Sequence, residues 1–291
     1  MPTTTDRTET TVTANGLKLF VREQGDGYPL LMVNGIGANT EMWGPAEEIL
    51  ARGSHTIVFD CPGTGRSQTS LLPLPMQELA RVVVKALDEL GHERVDVMGF
   101  SFGGLLAQQL AHDAPERVRR LALVSTGCGW GSTLGLPSAI SAVSNPLRYY
   151  SRSWFDLTNR LLGESEGEDV DARARLAHPP TPLGYMYQLW ALASWSSLPW
   201  LHRVEAPTLV VSGGQDRLVP PCNAVQLAEL LQTSRLHVLA DAGHLVMSYR
   251  DGAAPRLLAD FFSSRSLERS TAWTTGLAPG ADAWQQAALA A

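Results

Sequence analysis

Cysteine is scarce in this chain: Cys61, Cys128 and Cys222 are the only three in 291 residues. They are far apart, odd in number and form no C-x-x-C pair, which argues against a disulfide framework or a zinc site. Each reads as a small buried thiol in a reducing compartment. No stretch approaches the ~18 consecutive apolar residues of a membrane span. The opening Met1-Pro2-Thr3-Thr4-Thr5-Asp6-Arg7 lacks the basic and apolar regions of a signal peptide, so a cytoplasmic location is expected. Positive charge is also in short supply, with 23 Lys plus Arg against 29 Asp plus Glu and a net charge of −6. That balance leaves no electrostatic footprint for nucleic acid and no basic cluster for anionic lipid. There is no internal repeat. Asp60-Cys61-Pro62-Gly63-Thr64-Gly65-Arg66-Ser67 is glycine-rich but lacks the Lys and spacing of a phosphate loop, and reads as a structural turn.

What is present is a rhythm of short apolar runs, glycine-bearing turns and amphipathic helices, in a chain hydrophobic enough (44%) to bury a large core. Thr11 to Val21 reads as a hairpin around Asn15-Gly16. Strands are expected at Pro29–Val33, His55–Phe59, Arg94–Met98, Leu121–Val124, Pro207–Ser212 and Leu236–Leu239. Helices are expected at Met42–Arg52, Met76–Leu90, Leu105–His112, Cys222–Leu231 and Ala254–Phe262. Near-continuous apolar strands separated by helices predict an α/β fold whose mostly parallel sheet is covered on both faces. Between Gly127 and Trp200 the rhythm breaks into glycine-rich turns, prolines and most of the chain's Trp and Tyr residues. The reading is therefore a core of residues 11–126 and 201–263, an inserted helical cap of residues 127–200, and flexible tails at 1–10 and 264–291.

The chemistry begins at Val95-Asp96-Val97-Met98-Gly99-Phe100-Ser101-Phe102-Gly103-Gly104, a strand that meets G-x-S-x-G-G and turns into a helix. This is the form of a nucleophile elbow, in which the glycines remove Cβ atoms that would clash as strand and helix pass. The turn lifts the serine hydroxyl clear of the backbone and aims helix N–H groups at it. A serine hydroxyl needs a base, and the base an orienting acid, on loops that follow parallel strands. Asp216 follows Leu209-Val210-Val211-Ser212, and His244 follows Leu236-His237-Val238-Leu239, so Ser101, Asp216 and His244 stand in α/β-hydrolase chain order. Asp241 is the rival acid, placed to shape the turn that carries His244; His237, inside a strand, reads as a packed core histidine. The backbone N–H groups of Phe102 and of Ile36, in Asn34-Gly35-Ile36-Gly37, are the expected oxyanion donors.

Taken together, these elements resemble the α/β-hydrolase fold family, and within it the intracellular medium-chain-length poly(3-hydroxyalkanoate) depolymerases. The matching pieces include Asn34-Gly35-Ile36-Gly37-Ala38-Asn39, Leu106-Ala107-Gln108-Gln109, Leu183-Gly184-Tyr185 with Gln188-Leu189, Trp195 with Ser197, and Trp200-Leu201-His202. Phe102 and Phe100 depart from the Trp and Val that flank the nucleophile in those enzymes, and Gly129–Ser144 and Gly163–Asp171 do not match in detail. The resemblance implies hydrolysis of medium-chain polyester through an acyl-enzyme, with no metal or organic cofactor. It implies an apolar ester or polyester substrate and an association with storage granules. An aromatic cap suits an aliphatic acyl chain, with Tyr185, Trp190 and Trp195 as expected substrate contacts, although such residues also serve packing within a cap. The alternatives are a hydrolase of small apolar esters, lactones or thioesters, a non-catalytic relative that binds an apolar ligand, and cofactor-free C–C or perhydrolytic chemistry.

Overall fold

The computed structural model describes residues 7–162, 176–248 and 252–280. Asn15 and Gly16, both at positive φ, form the tight turn joining strands β1 (Thr8–Ala14) and β2 (Leu17–Gln24). The sheet continues through β3 (Tyr28–Val33), β4 (Ser54–Phe59), β5 (Val95–Phe100), β6 (Val118–Val124), β7 (Thr208–Gly213) and β8 (Ser234–Leu239). Strand order is β1-β2-β4-β3-β5-β6-β7-β8. β1 and β2 pair antiparallel with their neighbours, and every later pairing is parallel. The C-terminal ends of β3, β5, β7 and β8 thus lie along one edge, where loops carrying the candidate residues emerge.

Strand side chains alternate between two cores. Leu31, Val33, Val95 and Val97 enter one, whereas Leu30, Met32, Met98 and Phe100 enter the other. The first core is closed by α2 (Met76–Leu90), α3 (Phe102–Asp113) and α7 (Cys222–Leu230), the second by α1 (Gly44–Ala51) and α8 (Ala253–Ser263). This is the double coverage expected of apolar parallel strands. In α2 the buried Met76, Leu79, Ala80, Val83, Ala86 and Leu87 follow the helical period, and Gly91 ends the helix in the left-handed conformation.

Between β6 and β7 lie α4 (Pro137–Ser144), α5 (Arg152–Leu161) and α6 (Pro182–Ala193), with a short 3₁₀ turn at Pro146–Tyr149. This is the stretch expected as a helical cap, and much of the acidic Gly163–Asp171 run falls outside the described residues.

Three details differ from expectation. The helix expected from Met42 is split: a 3₁₀ turn at Thr40–Met42 precedes α1, because Gly44 takes φ 41° and Pro45 starts the new helix. The N-terminal tail is shorter than ten residues, since β1 begins at Thr8. The C-terminal tail does not begin at 264. Ser270 caps a short helix, α9 (Thr271–Thr275), whose Trp273 is buried against Phe261, and Leu277 bridges Leu236 of β8. Its small residues hid one aromatic anchor, and one is enough to fasten a short segment; residues 281–291 lie outside the described range.

Candidate active site

Ser101 sits between β5 and α3 at φ 52°, ψ −119°, a conformation that L-residues rarely adopt. Its N–H donates to Val124 O at 2.9 Å, and its carbonyl accepts from Gly104 N and Thr126 Oγ1, both at 2.8 Å. The strained turn is thus bonded on both sides. A Cβ at Gly99 would collide with Gly103 and Gly104, and one at Gly103 with the carbonyl of Val33, so strand and helix approach as closely as the motif requires.

His244 comes to Ser101 from the loop after β8. Its Nε2 lies 3.1 Å from Ser101 Oγ and its Nδ1 2.8 Å from Asp216 Oδ2. The other Asp216 oxygen accepts the N–H groups of Leu218 (2.9 Å) and Val219 (2.8 Å). Both side chains are buried, and Gln215 N bonds Ala242 O at 2.8 Å, stitching the two loops together. The Phe100 ring backs the imidazole at 5.2 Å between centroids. Asp241 is exposed, and His237 is partly buried with Nε2 2.6 Å from Ala272 O. Burial lowers the His237 pKa.

The Asn34–Gly37 turn is anchored from below and above. Asn34 donates to Phe59 O (3.0 Å) and accepts from Trp43 Nε1 (2.5 Å). The Ile36 carbonyl accepts from Tyr149 Oη (2.6 Å) and Arg148 Nη2 (2.9 Å), and Gly37 N donates to Gln188 Oε1 (2.7 Å). Among the described residues no acceptor engages the Ile36 N–H. The Phe102 N–H stands in the first turn of α3, where a helix offers no acceptor of its own. Ile36 and Phe102 both line the cavity above Ser101.

That cavity is an apolar groove of about 500 Å³. Its walls include Ile36, Phe102, Leu105, Ile140, Val143, Leu189, Leu192, Leu218 and Val219, and it opens at Trp130 and Leu134, which are largely exposed. The expected aromatic contacts are elsewhere. Tyr185 is fully buried with its hydroxyl on Val143 O, and Trp195 is buried with Nε1 2.6 Å from Gln109 Oε1. Trp190 is half-exposed and does not line the groove. The polar ends of Tyr and Trp need partners when buried, and the 127–200 segment supplies them in its own packing. The groove wall is mostly aliphatic instead, with Phe102 and Trp130 as its aromatic members. Nothing in the local sequence marks Arg148, Tyr149 and Gln188 as supports of the Ile36 turn; only Gln188 has a signal, through the family resemblance.

Residues 28–251 match the family model described as the alpha/beta hydrolase fold. A poly(3-hydroxyalkanoate) depolymerase of Ectopseudomonas oleovorans is 36% identical over 237 residues, covering 80% of this chain and 83% of the relative. A 2-hydroxymuconate semialdehyde hydrolase of Pseudomonas sp. (strain CF600) is 28% identical, covering 87% and 93%. Among solved structures, an esterase of Exiguobacterium antarcticum superposes with a TM-score of 0.77 at 20% identity, over 88% of this chain and all of that one, a likeness of fold. The elbow, the strand order and these matches together make the chain a member of the α/β-hydrolase family.

Proposed function

We propose that this protein is a serine hydrolase of medium-chain poly(3-hydroxyalkanoate), acting through an acyl-enzyme. The observation that carries the reading is the apolar groove of about 500 Å³ that reaches from Ser101 to an exposed apolar mouth at Trp130 and Leu134. The 36% identity to a poly(3-hydroxyalkanoate) depolymerase supports the polyester as substrate.

In this mechanism His244 Nε2 takes the Ser101 proton as Oγ attacks the ester carbonyl. Asp216 fixes the tautomer by accepting Nδ1–H and stabilises the imidazolium that forms. The Phe102 and Ile36 N–H groups receive the developing oxyanion. The imidazolium then protonates the departing alkoxide, and water repeats the sequence on the acyl-enzyme.

The acyl chain lies along Leu105, Ile140, Leu189 and Leu192, and the exposed Trp130 and Leu134 meet an insoluble polyester. A cytoplasmic setting at the surface of storage granules goes with this reading. It is supported by the free thiols Cys61, Cys128 and Cys222, which suit a reducing compartment.

Acyl esters of increasing length, assayed beside a medium-chain polyester suspension, test it. Each added methylene contributes up to ~0.8 kcal/mol when fully buried, about fourfold in kcat/KM, until the groove is full. An alkyl phosphonate should label Ser101 alone, and Ser101→Ala should abolish turnover with the fold intact. A preference for acetyl esters refutes the reading; rapid octanoyl hydrolysis with an inert polymer refutes the polymer assignment.

A further inference from the structure

A second, smaller cavity of about 50 Å³ shares Ile36, Ser101, Val143 and Leu218 with the groove and also reaches His244. Arg148, Thr158 and Asn159 give its otherwise apolar wall a polar side that includes a cation, which the groove lacks. It has room for a small polar group and none for a medium-length alkyl chain.

Arg148 is held in the 3₁₀ turn after α4. Its Nη2 donates to Ile36 O (2.9 Å) and Tyr149 Oη (3.1 Å), and its guanidinium lies 4.7 Å from the Tyr149 ring centroid and 5.9 Å from that of Tyr185. Among the described residues no carboxylate pairs with it. Its Nε is buried without a hydrogen-bond partner, and so is Thr158 Oγ1. Arg148 and Thr158, each with one buried polar atom left without a partner, therefore both belong to the wall of the same small space beside the nucleophile. A buried guanidinium without counter-charge is unfavourable; with Nη2 already committed to Ile36 O and Tyr149 Oη, the ligand that relieves it is an anion with one acceptor oxygen for Nε and a second for the Thr158 hydroxyl.

We propose that Arg148 and Thr158 form a carboxylate subsite, so that the leaving group carries a free carboxylate: the terminal unit of a 3-hydroxyacid oligoester. The inference rests on the esterase reading above and specifies which end of the chain is cut. In such a unit one methylene separates the carboxylate from the carbon bearing the ester oxygen, so the anion sits close to the reacting bond. As the Ser101 Oγ–acyl bond forms, the ester C–O bond breaks. The departing alkoxide takes the proton from His244, and the terminal unit leaves as a 3-hydroxy acid, its carboxylate on Arg148. Hydrolysis thus trims from the carboxyl end.

The test compares the linear dimer of 3-hydroxyoctanoate as free acid, the same dimer as its methyl ester, and p-nitrophenyl octanoate, on the full-length enzyme. The free acid should exceed the methyl ester in kcat/KM on the order of tenfold, mainly through KM, as a charged hydrogen bond implies. Arg148→Met should bring that ratio close to one, and Thr158→Val should lower it less. Equal rates for the two dimers in the wild-type enzyme overturn the proposal. So does an Arg148→Met variant that loses all three substrates in proportion, the signature of a residue that only tethers Ile36. If none of the three is cleaved, the esterase reading itself fails. Calorimetric titration of Ser101→Ala with 3-hydroxyoctanoate and its methyl ester then decides the subsite alone: selective binding of the acid supports it, and equal binding overturns it.

Discussion

Replacing Asp216 by asparagine changes few atoms, yet the loop geometry dictates the outcome. One Asp216 oxygen accepts two backbone N–H groups, from Leu218 and Val219, and the other accepts His244 Nδ1–H. An asparagine keeps its carbonyl oxygen on the two amides, because turning the NH₂ toward them would oppose donors to donors. Its NH₂ must then face Nδ1, which accepts only in the tautomer protonated at Nε2. That tautomer points a proton at Ser101 Oγ and offers it no base. The expected loss is on the order of 10⁴ in kcat, about 5.5 kcal/mol of transition-state stabilisation, with little change in KM or thermal stability. Steady-state hydrolysis of p-nitrophenyl octanoate by the wild type, Asp216→Asn and Asp241→Asn checks it. Asp241 is exposed, so its variant should remain within a few-fold of wild type. A mild Asp216→Asn beside a crippled Asp241→Asn would refute the reasoning.

Two further outcomes are expected. His55 faces acceptors on both ring nitrogens, Gly25 O at 2.6 Å and Glu23 Oε1 at 2.9 Å, while His92 Nε2 lies 3.0 Å from the same Glu23 oxygen. Hydrogen bonds from His55 and His92 hold Glu23 down to about 2, against burial, and the Glu23 hydrogen bond raises His55. The Glu23 contribution is complete above its ordinary value of 4.5 and is lost as pH falls toward 2. That of His55 is complete below 6.5 and is lost as pH rises through the raised value. Glu23→Gln should therefore lower Tm most between about pH 4.5 and 6.5, by an amount limited by solvent screening, and parallel Tm–pH curves would refute the assignment. Trp273→Ala should cost about 3–5 kcal/mol in urea unfolding, as for other buried aromatic truncations; a loss below about 1 kcal/mol would mean that the segment after α8 carries no stability.

Much of this architecture is legible in local sequence. Hydrophobic period and turn residues mark the strands and most helices, and Gly99-Phe100-Ser101-Phe102-Gly103 marks the elbow because its steric demand lies within five consecutive residues. Asp216 and His244 are legible because a parallel sheet brings successive strand ends to one edge. The groove wall is another matter. Tyr185 and Trp195 have the size and polarity of substrate contacts, but Val143 O and Gln109 Oε1 claim their polar atoms, pairings decided only when the helices after β6 pack. Arg148 stands four residues before Arg152 among Ser, Asn and Tyr residues, and nothing local says that it meets the carbonyl of a residue more than a hundred positions earlier. The segment after Ser263 misleads for a related reason: composition averages over small residues and hides Trp273.

The bonds around Ile36 have a mechanical consequence. Arg148 and Tyr149 hold its carbonyl and Gln188 holds the neighbouring Gly37 N–H, so the helices above the sheet and the turn below them form one fastened unit. Lifting those helices away from the sheet would break three hydrogen bonds and release the Ile36 peptide, the proposed oxyanion donor. Under the proposed hydrolase reading, a chain that threads in past the exposed Trp130 would leave that peptide in place, and each cleavage would begin without a reassembly step.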